Sequence, residues 1–126
     1  MYSSRKISKS SLERAKTYII SKGRELELAR YKFEFENGSR ENVITQLQTF
    51  QNADGGFGHG IEPDFWMPHS SPMATWAAGQ ILMEISADIH EPMVESMIGY
   101  LTNTNDMETG MWDSVLPGNN DYPHAP

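Results

Sequence analysis

The 126 residues are one domain's length, and a hydrophobic fraction of 38% is low for a chain that must build its own core. A formal charge of -7 argues against nucleic acid and anionic membranes as partners, since both favour basic patches. The chain has no cysteine, so disulfides and thiolate metal sites are excluded; the first residues lack the apolar core of a secretory signal, and no run approaches the roughly 20 apolar residues of a membrane span. The expectation is a soluble, cytoplasmic protein of a single domain over residues 1–126.

Ser10-Ser11-Leu12-Glu13 has the pattern of a capping box. After it, Leu12, Ala15, Ile19, Gly23, Leu26, Ala29 and Phe33 recur at helical spacing. They predict one long amphipathic helix, stopped by Asn37-Gly38 with the glycine left-handed. Ser39 can cap a second helix, with Val43, Ile44, Leu47 and Phe50 as its buried stripe. The loop from Asn52 to Ser70 is long, and Phe57, Ile61, Phe65, Trp66 and Met67 make it too apolar to stay solvated. Ser71-Pro72 opens a third helix, with Ser71 as cap and Pro72 at the first helical position. Met73 and Trp76, with Met93 of the next helix, are expected in the core. A fourth helix follows Pro92, with Ile89 and Val94 placed for a hydrophobic staple. Beyond Thr102 the chain is polar and turn-rich, with Trp112, Val115, Leu116 and Tyr122 as isolated anchors.

The stretch Leu47 to Gly58 organises the rest. A helical run ends at Gln51, a turn of Asn52, Asp54, Gly55 and Gly56 follows, and Phe57 stands between glycines. Gly55 and Gly56 can take positive φ at little steric cost. Phe57 is then expected against Gln51, with the Gln51 amide bonded to the turn backbone. A weaker copy follows about 50 residues on: Leu101, Asn105, Asp106, Gly110 and Trp112 stand for Leu47, Gln51, Asp54, the glycine pair and Phe57. A period of that length means a repeated helical hairpin.

Leu-x-x-x-Gln-x-x-Asp-Gly-Gly-Phe-Gly, as Leu47 to Gly58, resembles the glutamine–tryptophan repeat of the terpenoid cyclase and protein prenyltransferase superfamily. Phe57 stands where the repeat has Trp, and Asn105 where it has Gln. Glu62-Pro63-Asp64 and Ser70-Ser71-Pro72 extend the likeness to bacterial proteins of this superfamily. The resemblance covers roughly Val43 to Trp112. It implies an all-α fold of αα-toroid type, an inner ring of helices within an outer one. At roughly 50 residues per hairpin, the chain holds about two hairpins, or four main helices with long irregular loops. That is part of a toroid, cut from a longer protein or completed by association. The Asp-rich motifs of the cyclases and the Cys-containing zinc site of the prenyltransferases do not occur here, and no cofactor is expected.

His59 to His69 is the candidate site loop. Glu62, Asp64 and His69 are the catalytic candidates, since carboxylates near apolar surface serve as general acid or base. Trp66 and His124 are substrate-binding candidates. The competing reading makes Glu62 and Asp64 caps for loop backbone, and Phe65 and Trp66 plugs of the ring. His59, Glu62, Asp64 and His69 have metal-ligand chemistry, but their spacing matches no zinc signature, and no metal is assigned. Gln51, Asp54, Gly55, Gly56, Phe57, Gly58 and Trp112 form the structural repeat.

Two functions follow as expectations. One is binding or transformation of an apolar or carbohydrate small molecule in a central cavity. The other is a non-catalytic interaction module or an inactive piece of a larger toroid. Surplus apolar residues on the third and fourth helices (Met73, Trp76, Ala77, Ile81, Leu82, Ile85, Met93, Met97, Ile98) predict self-association, as a homodimer, or cover by a continuation of the chain past Pro126.

Overall fold

A computed structural model describes residues 4–126. Among them are five α-helices and no strand: α1 Lys9–Lys22, α2 Glu25–Phe35, α3 Arg40–Gln48, α4 Pro72–Glu84 and α5 Pro92–Thr104, followed by a 3-10 turn, Pro117–Asp121. None of these helices is long and apolar enough to cross a membrane. The chain divides into two compact units, Met1–Val43 and Ile44–Pro126.

The first unit holds two helices where the apolar period predicts one. The period continues through Gly23, but the backbone there is extended (φ -75°, ψ 159°), and the Gly23 N–H closes α1 on the Ile19 carbonyl. A Cβ at Gly23 would stand 2.7 Å from that carbonyl oxygen, so a larger residue could not leave the helix this way. α2 restarts after Arg24, which donates to the Glu27 carboxylate from its backbone N–H at 3.1 Å and from its guanidinium at 2.9 and 2.6 Å. Ser8, not Ser10, caps α1 by accepting from the Ser11 N–H at 3.1 Å; Ser10 already lies inside the first turn. Asn37, not Gly38, takes the left-handed conformation (φ 55°) after α2. Asn visits that region more easily than other side-chain-bearing residues. α1 packs on α2 but buries no residue fully, whereas α2 buries Leu26, Ala29 and Tyr31.

The second unit follows its caps. Ser39 accepts from the Asn42 N–H at 3.1 Å to open α3, which runs on into this unit. Ser71 accepts from the Ala74 N–H at 3.1 Å, ahead of Pro72 at the start of α4. α4 packs on α5. The core contains Leu47, Phe57, Ile61 and Met67, with Ala78, Ile81, Leu82 and Ile85 from α4 and Met93, Val94 and Tyr100 from α5. Two expectations fail here. The buried positions of α4 are Ala74, Thr75, Ala78, Ile81 and Leu82. At 3.6 residues per turn these close on one face. Trp76 lies on the other, 59% exposed, and is not core; Met73 is half-buried and is not core either. Ile89 is 69% exposed and makes no staple, because α5 starts after Glu91 and leaves Ile89 too far upstream.

Residues 123–125 run antiparallel beside the long loop. Trp66 N–H donates to the Pro123 carbonyl at 3.1 Å, Ala125 N–H to the Asp64 carbonyl at 2.8 Å, and Phe65 pairs with His124.

Candidate functional site

The glycine turn is built first, because it places everything after it. Gln51 and Phe57 form an antiparallel pair, with Asn52 N–H donating to Gly56 O at 2.8 Å and Gly58 N–H to Phe50 O at 2.9 Å. These bonds flank the pair rather than join it, the arrangement that brings opposed side chains closest on one side. The Gln51 amide donates to Gly55 O at 3.0 Å and to Met93 O at 3.1 Å, tying the turn to α5. Gly55 has φ +89°, and a Cβ there would lie 2.0 Å from the Ser96 carbonyl oxygen. Gly56 needs no positive φ; it is small because a Cβ would meet Ser70 at 2.5 Å and the Tyr100 ring at 2.8 Å.

Phe57 is wholly buried, and its N–H donates to Thr75 Oγ1 at 3.0 Å. Thr75 in turn donates to the Ser71 carbonyl at 2.7 Å. The buried amide therefore has a partner from α4, as a buried donor requires. Asp54 accepts from Gly56 N–H at 2.9 Å and from Ser70 Oγ at 2.7 Å. Asn52 donates to Pro68 O and Ser70 Oγ, both at 3.0 Å. Its oxygen must then be the acceptor facing His59 Nε2 at 2.7 Å, which makes that nitrogen the protonated one. Burial, then the Asp54 charge, holds the Tyr100 phenol above the usual tyrosine range.

The loop does not assemble the predicted site. His59, Asp64 and His69 are exposed and Glu62 is half-buried. Among the described residues, no three His, Asp or Glu side chains come together as a metal site. Glu62 and Asp64 also fail as caps: neither carboxylate holds a hydrogen bond among the described residues, and Asp64 contributes only its backbone carbonyl, to Ala125. Asp54 takes the capping role instead. Trp66 plugs nothing. It is 61% exposed, with its indole N–H on the Pro63 carbonyl at 2.9 Å. His124 Nδ1–H donates to Tyr122 O at 2.8 Å, and His69 meets the Tyr122 ring edge-on with centroids 6.2 Å apart. Backbone pairing does bring Trp66 and His124 to neighbouring positions.

The second glycine turn repeats the devices of the first. Asn105 donates its amide to Met111 O at 3.3 Å, as Gln51 does to Gly55 O. Asp106 accepts from the N–H groups of Glu108 at 2.9 Å and Thr109 at 3.3 Å, which holds its carboxyl below the usual range. Gly110 has φ +71°. Trp112 donates its indole N–H to Leu101 O at 2.9 Å but stays 43% exposed. Beside it opens a cavity of about 540 Å³, lined by Pro72, Met73 and Trp76 of α4, Leu101 of α5, and Trp112, Asp113 and Ser114. Its lining is almost wholly apolar, with Asp113 and Ser114 as the polar residues.

Sequence reasoning placed Trp112 in the repeat and Trp76 in the core, and so missed the groove they share. The signal was present in the α4 stripe: Ala74, Ala78, Ile81 and Ile85 make a better apolar face than the set containing Trp76. Comparison with protein-family models, with curated proteins and with solved structures finds no match to this chain.

Proposed function

We propose that this chain is a binding protein of partial αα-toroid type, and that it takes an apolar small molecule in the tryptophan groove. The observation that carries the reading is the groove itself, a cavity of about 540 Å³ with two partly exposed indoles in its wall. Exposed tryptophans are costly to leave in water and favour a flat apolar face. Ligand pockets commonly combine such a wall with a few polar groups, here Asp113 and Ser114. A carbohydrate fits less well, since its hydroxyls need more polar partners than two. The turn chemistry at Gln51 and Phe57 supports the toroid reading, because the two residues pair through their backbones across the turn and the Gln51 amide bonds to the turn carbonyl. Binding, not turnover, is the activity proposed.

Titration with a neutral aromatic hydrocarbon, followed by indole fluorescence and indole N–H chemical shifts, tests it. Saturable shifts at Trp76 and Trp112, lost in Trp76→Ala, are expected. Saturation elsewhere, or none at millimolar ligand, would overturn it.

A second reading has its own observation. Trp76 and Met83, two turns apart on α4, are 59% and 74% exposed, and Ile98 of α5 is 50% exposed. Such surface suits self-association as a homodimer. Sedimentation that stays monomeric at high concentration would remove this second reading.

A further inference from the structure

Charge is divided sharply along the chain. All ten Lys and Arg residues lie at or before Arg40, and none follows. From Ile44 to Pro126 there are eleven Asp and Glu, and the only groups that can become cationic are His59, His69, His90 and His124. None of these histidines lines the groove, whereas Asp113 does. An anionic ligand there, phosphate or carboxylate, would face Asp113 with no cation among the lining residues to receive it. Like charge set against like costs binding energy, and a unit of one sign steers the opposite sign toward it.

The walls favour the same sign. An indole carries a negative π-face, and tryptophan is the strongest of the aromatic side chains at holding a cation there. Trp76 and Trp112 both border the cavity and both retain exposed surface. We infer that the groove binds an organic cation: an ammonium or quaternary ammonium centre carried on an apolar body, its charge set against Asp113 and the two indoles. This rests on the groove being a binding surface and adds the charge of the ligand. It also separates this groove from recognition of phosphorylated apolar molecules, which favours cationic donors that its lining lacks.

Three probes of one shape test it on the full chain: benzyltrimethylammonium, its neutral carbon analogue neopentylbenzene, and anionic benzylphosphonate. Binding is read from indole fluorescence and indole N–H shifts. The cation should bind about tenfold more tightly than the neutral probe at low salt, and the anion more weakly than either. That preference should shrink in Asp113→Asn and at high salt. Trp112→Ala should lose it and Trp112→Phe keep part of it, with thermal melts confirming that both variants are folded. Equal affinity for cation and neutral probe overturns the charge assignment and leaves the groove a binding site. No binding by any probe overturns both. A cation preference untouched by Asp113→Asn, Trp76→Ala and Trp112→Ala alike overturns the placement in the groove.

Discussion

The turns at residues 51–58 and 105–112 use the same parts and reach different ends. Each has an amide side chain bonded to a turn carbonyl, an Asp accepting from the backbone N–H two residues on, one glycine at positive φ, and an aromatic that follows. In the first turn the aromatic is 0% exposed and α4 supplies a partner for its N–H. In the second it is 43% exposed and borders the groove. The glycines differ in the same way. A Cβ at Gly55 would enter the α5 backbone, while one at Gly110 would meet nothing within 4 Å. A local motif sets the path of the chain, but what packs over it decides whether it serves as core or as surface.

The sharpest test of that contrast is the pair of aromatics. Phe57→Ala should cost about 3–5 kcal/mol in thermal or denaturant unfolding, the range for emptying a buried aromatic site. Trp112→Ala should cost about 1 kcal/mol, the scale of its one hydrogen bond, while removing the groove's preference for a cation. Similar losses for the two would erase the distinction.

The glycines come next. Gly55→Ala combines left-handed strain with a collision, and about 3 kcal/mol is expected. Gly110→Ala carries the strain alone, roughly 1–2 kcal/mol. Parallel melts of the two variants read the difference, which vanishes if the Ser96 backbone yields freely.

A smaller effect isolates the amide that α4 covers. Thr75→Val keeps the shape but leaves the Phe57 N–H without its acceptor, and should cost about 1–3 kcal/mol. Hydrogen exchange at Phe57 should accelerate in that variant; exchange as slow as in the parent protein would show that the bond contributes little.

The smallest effects separate the turns by pH. Tyr100, beside the first turn, has a raised folded pKa. Its contribution is therefore fully present below the ordinary tyrosine value of about 10 and is lost as pH rises through the raised value. Asp106, in the second turn, has a lowered one. Its contribution is present above the ordinary aspartate value of about 4 and is lost as pH falls through the lowered value. Stability measured against pH should lose part of its alkaline limb in Tyr100→Phe and part of its acid limb in Asp106→Asn. Unchanged limbs would remove these groups from the account.

Much of the chain from Ser39 onward was legible because its signals are local. Ser39, Ser71 and Pro72 mark helix starts through bonds and dihedrals confined to one turn, and the Gln51 amide reaches a carbonyl four residues away. The candidate site was less legible. Asp54 was legible in the turn, but its bond from Ser70 was not, because Ser70 is brought to it across 16 residues of loop. The pairing of residues 64–66 with 123–125 has no signature in either segment, since backbone groups carry no sequence label.

The amino-acid sequence by itself determined the helical composition of the chain, the caps of α3 and α4, the glycine turn and the placing of every Lys and Arg in the first 40 residues. These depend on neighbours within a turn or on charge alone. Only the tertiary structure decided that the helical period breaks at Gly23, that Trp76 faces outward, and that Trp112 shares a groove with it. A period of 3.6 residues names the positions that share a helix face. Which face is buried depends on the elements packed against it, and those come from distant parts of the chain.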